Sequence, residues 1–314
     1  MDERGFPTVI TTTPSNLDED VGAEKILRKL NDSASIYLKD KVSKAVITVP
    51  WSWDDSQRRG VKDAAGLAGF KEVHLMSEPS AAALAYGFLS PTEEILLTRS
   101  SLFPVFKFEV EEFGEGIEEV ATDGDTSLGG YDFDMGIVEW LVAEKFRHNQ
   151  RLIDEVSKDK RALQRLKETA EIAKVQLSSV NQIKISFPTI TAIAEGPKHT
   201  ETTLTRAKFE EVCSDLFDRL YPPVENVLRN AKVTVKDIGE VILVGGSTRI
   251  PAVQEFLRKI TGKEPNLSIN PEQIIALGAA IQMRLPTYML CYFDHYFMIG
   301  ILEGDVKDLM LKKF

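Results

Sequence analysis

The residues in this chain best suited to nucleotide chemistry are two glycines, two hydroxyls and an arginine at 245–249. Val241 to Val244 before them is apolar, and Pro251 after them opens an amphipathic segment. This pattern predicts a buried strand, a tight turn and a helix. At such a junction glycines let backbone approach a ligand, and the helix start offers free N–H groups. The stretch is therefore a candidate nucleotide loop, although the same turn also occurs without any ligand.

The elements that precede this loop begin with alternating helix and strand patterns. Apolar residues recur at helical spacing over 22–38, and the β-branched run at 44–50 predicts a buried strand. Asp54 or Asp55 is then predicted to be the N-cap of a helix that runs through Ala68 and is ended by Gly69.

A second strand and helix follow directly. The strand is expected at 73–76, and residues 77–80 are expected to turn before a small-residue helix at 81–86. The order strand, helix, strand, helix favours α/β architecture.

The middle of the chain contains a second glycine loop. Two short strands are expected between Glu94 and Glu112. Beyond them, the polar stretch 121–130 ends in two glycines and feeds a helix at 131–147. A second α/β lobe is therefore expected to begin near residue 95.

The next segment supplies the longest helix pattern. Leucines and alanines from Leu163 to Leu177 recur three and four apart, a stripe that is more often core than cofactor site. Strand patterns at 183–193 and near 200–204 form an expected pair, and Thr205 is placed to cap the helix that follows.

Composition and charge exclude several classes of function. Lysine and arginine total 38 against 48 acidic residues, and a net charge of −10 argues against a nucleic-acid groove. Cys213 and Cys291 lack metal-type spacing, as do the four histidines, which suggests a reducing compartment and no metal ligands. No targeting peptide is visible after Met1, and the apolar run 285–299 is short for a bilayer span and contains Asp294.

Seven motifs occur in an order and at intervals that resemble one known family. They are KAVITVP, DDSQR, SEPSAAALAYG, DGDTSLGGYDFD, TLTRAKFEE, VILVGGSTRIP and NPEQIIALGAAIQ, and they span most of residues 20–282. The chain resembles the nucleotide-binding domain of the 70-kDa heat-shock proteins, the DnaK-type chaperones. The stretch 191–211 is similar to plastid and cyanobacterial members.

The resemblance implies an α/β, actin-like, two-lobed ATPase fold that is incomplete at the N-terminus. Residues 1–95 would form the remainder of the first lobe, residues 96–282 the second lobe with the adenosine loop, and residues 283–314 an atypical aromatic insertion and a truncated tail. The family binds ATP or ADP with Mg²⁺ and couples its hydrolysis to protein folding.

The resemblance also implies which residues hold the nucleotide. Glycines permit close backbone approach, and a guanidinium can stack on an adenine face. Three side chains at i, i+3 and i+7 on one face of the long helix would meet the ribose and base. The implied nucleotide-binding residues are Gly129, Gly130, Glu171, Lys174, Ser178, Gly245, Gly246, Ser247, Arg249 and Glu272. Glu78, beside Pro79, would stand near a magnesium-bound water as the catalytic carboxylate.

Some positions depart from the family pattern. Residues 97–108 read LTRSSLFPVFKF where the family carries its second phosphate loop, D-L-G-G-G-T-F-D. Val175 falls where many members carry an arginine that stacks on adenine. The first phosphate loop and the catalytic lysine of the family are expected upstream of Met1. Residues 283–299 interrupt the family pattern, and we hypothesise that they and about 97–108 are translated intron or misjoined exon.

Several functions remain open at this point. The first is a chaperone ATPase domain that keeps the adenosine half of its site. The second is a pseudo-ATPase that binds J-domain co-chaperones or nucleotide-exchange factors without turnover. The third is a small-molecule kinase of the same superfamily, which fits the motifs less well. The fourth possibility is that the chain does not fold. Unfolded clients are expected only for full-length relatives. The expected location is the plastid stroma by resemblance, and otherwise the cytoplasm, with no nucleic-acid or membrane partner.

Overall fold

The computed structural model describes residues 19–89, 94–99, 105–111, 114–146, 159–186 and 201–282, and it is a mixture of helices and strands. The chain divides into two compact units, Met1–Ala81 with Ala276–Phe314, and Ala82–Ile275. The predicted boundaries at 95 and 282 stay a prediction. Within the described residues no helix is both long and apolar enough to cross a membrane.

The first unit is built on two parallel strands. Its elements are α1 (Glu19–Leu38), β1 (Lys44–Val49), α2 (Asp55–Leu67), β2 (Glu72–Ser77), the start of α3 (Glu78–Leu89) and most of α10 (Ile274–Gln282). β1 pairs with β2 in parallel, with Lys44 opposite Glu72 and Val49 opposite Ser77. The strand predicted at 44–50 is confirmed.

Helices α1 and α2 are joined to this sheet by a shared core. Its members are Leu27, Ala45, Ile47, Val49, Ala64, Ala65, Ala68, Phe70 and Leu75. The amide of Asn31 on α1 donates to the Ala68 carbonyl at 3.2 Å, which satisfies a carbonyl that the end of α2 leaves without a helical partner. Gly69 then takes φ +100°, a conformation that glycine adopts readily and that ends α2 as predicted.

The start of α2 is a capping box. The Asp54 carboxylate accepts from the Gln57 N–H at 2.9 Å, and the Gln57 side chain accepts from the Asp54 N–H at 3.1 Å. We expect Asp54→Ala to lower the free energy of unfolding by about 1 kcal/mol, measured by urea denaturation. Asp63→Ala is the control, because Asp63 is exposed on the same helix and caps nothing. Equal losses in the two variants would contradict this assignment.

The turn predicted at 77–80 is wrong. Helix α3 begins at Glu78, directly after β2. The reason is local, because the Ser77 hydroxyl accepts from the Ser80 N–H at 3.1 Å and so caps the helix from the last residue of the strand. Pro79 lies in the first turn, where its missing N–H costs nothing.

The second unit contains a four-stranded mixed sheet. Its strands are β3 (Glu94–Arg99), β4 (Val105–Glu111), β5 (Gly114–Ala121) and β8 (Glu240–Val244), in the order β5-β4-β3-β8. β3 pairs in parallel with β8, and the β3–β4 and β4–β5 pairs are antiparallel. The two strands predicted between Glu94 and Glu112 are confirmed, whereas β5 was not predicted.

The helices of this unit and a separate hairpin complete it. Besides the rest of α3, the described helices are α4 (Gly130–Phe146), α5 (Lys160–Leu177), α6 (Arg206–Val212), α7 (Ser214–Asp218), α8 (Tyr221–Ala231), a 3₁₀ turn (Gly246–Arg249) and α9 (Pro251–Thr261). Strands β6 (Gln182–Ser186) and β7 (Glu201–Thr205) pair antiparallel, and the Thr205 hydroxyl caps α6 as predicted. The predicted continuation of β6 to 193 lies outside the described residues. Helix α5 buries its apolar stripe, including Leu166, Ala170 and Leu177, in the core.

Candidate functional site

The glycine loop after β8 has the geometry that its sequence predicts. Strand β8 ends at Val244, the 3₁₀ turn follows, and α9 begins at Pro251. Gly245 has φ +85°, which residues with a side chain rarely adopt, and its N–H donates to the Pro271 carbonyl at 2.6 Å. The buried Thr248 hydroxyl donates to the Gly245 carbonyl at 2.6 Å. The loop is therefore held by bonds within its own unit.

The arginine of this loop is held in one plane. Arg249 Nε donates to Glu272 Oε1 at 2.8 Å, and its Nη2 donates to Asn270 Oδ1 at 2.8 Å. Asn270 Oδ1 also accepts from the Glu272 N–H at 3.1 Å, which fixes the carboxylate's own segment. A planar fork with two acceptors on one edge leaves the faces of the guanidinium available for stacking. Gly246 lies beside this pair, since a Cβ added to it would be 3.7 Å from Glu272 Oε1.

The glycine turn before α4 lies against this loop within the same unit. A Cβ built on Gly130 would be 2.8 Å from Ser247 Oγ and 3.0 Å from Lys174 Nζ, so an added side chain would displace these two groups. The Gly129 N–H donates to Asp132 Oδ2 at 2.7 Å. Gly130, Lys174 and Ser247, three residues singled out from the sequence, therefore converge at one point.

The Lys174 ammonium is a nearly enclosed charge of this cluster. Its Nζ donates to the Gly130 carbonyl at 2.8 Å and lies 2.8 Å from Asp134 Oδ1, with each side chain only 11% exposed. The contact with Asp134 is an ion pair between two nearly enclosed groups. An ammonium carries three donors, and no described residue accepts the third. The Ser247 hydroxyl likewise forms no hydrogen bond with a described residue.

Asp134 is a residue of this site that sequence reasoning missed. Burial raises the pKa of its carboxyl to about 6, although the neighbouring Lys174 acts to lower that pKa. One signal was available, because Asp134 lies between Phe133 and Ile137 on an otherwise apolar stretch of α4. A carboxylate in such a place needs a cation as its partner.

The remaining predicted residues lie around this cluster or outside it. Glu171 is exposed and forms no ion pair or hydrogen bond with any described residue. Ser178 Oγ donates to the Lys174 carbonyl at 3.3 Å, so it contacts the helix rather than the loop. Val175 is 62% exposed on the same helix, as an apolar side chain beside the site. Glu78 is the first residue of α3 and belongs to the other unit.

A magnesium site is not evident in the described ranges. There, no three side chains of the His, Cys, Asp and Glu types are grouped so that they could hold a metal ion. The assignment of Glu78 to a magnesium-bound water therefore stays a prediction.

Fold and site together describe a protein of mixed helices and strands, with a glycine loop at the carboxyl end of β8 and the nearly enclosed Lys174 ammonium beside that loop. A family model described as Hsp70 protein matches residues 12–287. The chain therefore belongs to the Hsp70 family, and the resemblance drawn from its motifs is confirmed.

Three curated relatives are similar over nearly the whole chain. Heat shock 70 kDa protein 6, chloroplastic, of Arabidopsis thaliana is 53% identical over 294 residues, 93% of this chain and 38% of the relative. The stromal 70 kDa heat shock-related protein, chloroplastic, of Pisum sativum is 52% identical over 93% of this chain and 39% of its own length. Chaperone protein dnaK of Cyanidioschyzon merolae is 48% identical over 93% of this chain and 45% of its own length. The chain thus spans less than half the length of these relatives.

Proposed function

We propose that this chain is a nucleotide-binding domain of a 70-kDa heat-shock chaperone, with an actin-like fold, and that it holds the adenosine part of ATP or ADP. The observation that carries the proposal is the convergence of Lys174 Nζ and Ser247 Oγ on the Gly130 backbone, where an added Cβ would be 3.0 Å from the first and 2.8 Å from the second. One ammonium donor and one hydroxyl therefore lie side by side against the Gly130 backbone. Such a pair suits the hydroxyls of a ribose, which both donate and accept.

The adenine is assigned to the neighbouring part of the site. The guanidinium plane of Arg249, fixed by Glu272, offers a face for stacking with a purine. Val175 offers an exposed apolar side chain on α5, in place of the stacking arginine that many family members carry. Glu171, without a partner among the described residues, is proposed to accept from a ribose hydroxyl. Ser178 lies one turn further along the same face of the helix.

The phosphates are proposed to be held weakly. Residues 97–108 contain neither a glycine nor an aspartate, where the family pattern supplies both. Phosphoryl transfer depends on groups that position the phosphates and on the metal that neutralises their charge. When bound, Mg²⁺ would neutralise the phosphate oxygens, and Glu78 would order one of its waters. We therefore propose that ATP hydrolysis is very slow or absent.

A second candidate function is supported by the sequence of residues 97–108, which lacks the glycines and aspartates of the family's phosphate loop, taken together with the cluster proposed to hold adenosine. The domain would then be a pseudo-ATPase that binds J-domain co-chaperones or exchange factors. Unfolded clients belong to the full-length relatives. The chloroplastic names of the relatives support a location in the plastid stroma.

Calorimetric titration of the purified chain with adenosine, ADP and GDP tests the proposal. Adenosine and ADP are expected to bind with affinities within about tenfold of each other, because the phosphates add little. GDP is expected to bind more weakly, because the family that the chain belongs to binds ATP and ADP. Equal affinity for ADP and GDP, or tight binding of ADP with none of adenosine, would contradict the assignment of this cluster. Steady-state ATP turnover, measured in parallel, separates the ATPase from the pseudo-ATPase.

Arg249→Lys is expected to weaken ADP binding about three- to tenfold, because lysine keeps the charge and loses the planar stacking surface. The matched control is Arg258→Lys on α9, where the guanidinium pairs with Glu255 and Glu264 away from the site. The control is expected to bind ADP as the unaltered chain does. If both variants bind alike in the same titration, stacking on Arg249 is excluded.

A further inference from the structure

We propose that Asp134 is a positioning residue of the adenosine site, whose carboxylate fixes the Lys174 ammonium so that its remaining donor meets the ligand. The inference rests on the proposed adenosine site and adds a residue to it. Asp134 does not itself touch the ligand in this account. It acts only through the lysine.

The geometry leaves Lys174 little freedom. Its ammonium is held from two sides, by the Gly130 carbonyl at 2.8 Å and by Asp134 Oδ1 at 2.8 Å. These two contacts come from one helix, α4, and the Lys174 and Asp134 side chains are each only 11% exposed. A lysine has a long, flexible stem, and ordering it in advance removes an entropy cost that ligand binding would otherwise carry.

The charges that face Asp134 are mixed. Lys174 on α5 favours the ionised carboxylate, while Glu171 on α5 and Asp132 on α4 oppose it. The Cys213 thiol also lies close, but burial raises its pKa to about 12, so it is neutral at ordinary pH. Desolvation outweighs these charges and raises the pKa of Asp134 from 3.8 to about 6. The positioning charge is therefore lost as the pH falls through about 6.

This titration moves stability and affinity in opposite directions. The folded chain holds a proton on Asp134 that the unfolded chain releases near pH 3.8, so the stability due to this group falls as pH rises from about 4 to about 6. Ligand affinity rises over the same range, because only the ionised carboxylate fixes the lysine. A group with a pKa of about 6 is about 90% protonated at pH 5, so affinity at pH 5 is expected to be about tenfold lower than at pH 7.5.

Adenosine is the probe for this test, because it carries no phosphate that would titrate near pH 6. In calorimetric titrations, the unaltered chain is expected to show a pH profile with a midpoint near 6. Asp134→Asn is expected to bind adenosine about tenfold more weakly than the unaltered chain at pH 7.5, and its affinity is expected to stay constant as the pH is lowered. Glu139→Gln is the matched control, since it makes the same carboxylate-to-amide change at an exposed position of α4. This control is expected to show the same pH profile of adenosine affinity as the unaltered chain.

A measurement on the unaltered chain keeps the test independent of whether Asp134→Asn folds. The side-chain carboxyl ¹³C signal of Asp134 should titrate near pH 6, and saturating adenosine should lower that midpoint, because coupling between proton and ligand is reciprocal. A midpoint that adenosine leaves unchanged would overturn the inference. So would an Asp134→Asn variant that binds adenosine as tightly as the unaltered chain at pH 7.5. An unaltered chain that binds no adenosine at pH 7.5 would overturn the proposed function together with this inference.

Discussion

Gly278→Ala is expected to remove more than about 3 kcal/mol from the free energy of unfolding, or to abolish cooperative unfolding. A Cβ at this position of α10 would be 1.7 Å from the Ala81 carbonyl oxygen and 2.5 Å from its carbon. Both atoms are backbone of α3, so no side chain can rotate away to make room. The two helices would have to separate within the first unit. Urea denaturation followed by circular dichroism measures the loss.

Gly66→Ala is the control for this substitution. Gly66 is also helical, in α2, and nothing lies within 4 Å of a Cβ added there. Alanine is the better helix former, so this variant should be more stable by about 0.5–1 kcal/mol. The helix contact would be refuted if Gly278→Ala unfolded within 1 kcal/mol of the unaltered chain.

Lys174→Met is expected to weaken ADP binding by about 10- to 100-fold, because it removes a charged donor from the point where the ligand is proposed to lie. It should also destabilise the fold by about 3 kcal/mol at pH 7.5, since Asp134 would keep a buried charge with no partner. Calorimetric titration gives the first effect, and urea denaturation gives the second.

The double variant Lys174→Met/Asp134→Asn separates these two effects. Removing both charges together should recover most of the lost stability, because no unpaired buried charge remains. It should not recover ADP binding. Recovery of binding along with stability would mean that Lys174 supports the fold alone and does not contact the nucleotide.

The sequence predicts most of the local structure because its strongest signals are local. The Asp54 cap of α2 and the strand, turn and helix around Gly245 depend on residues within a few positions of each other, and the structure confirms both. Strand β5 was missed because five of its eight residues are glycine or glutamate. Its strand conformation comes from pairing along β4, which no local propensity reports.

In the candidate site, too, residues that a sequence motif identifies were predicted, and residues whose role depends on distant contacts were missed. Resemblance to the family picked out Gly130, Lys174 and Ser247, although their mutual contacts join three distant parts of the chain. Asp134 was missed, because its role depends on burial and on a lysine 40 positions further along. Gly278 was missed for a similar reason, since only the backbone of α3 makes its lack of a side chain necessary.

Thermal unfolding of the purified chain with and without Mg-ADP tests the central claim, that the second unit holds adenosine at the Gly130, Lys174 and Ser247 cluster. A ligand that binds only the folded chain stabilises it by about 2.7 kcal/mol at a hundredfold excess over its dissociation constant. We expect one cooperative transition whose midpoint rises with ADP, and a much smaller rise at the same ADP concentration in the double variant Lys174→Met/Asp134→Asn. If the unaltered chain unfolds cooperatively at the same midpoint temperature with and without ADP, the central claim is contradicted.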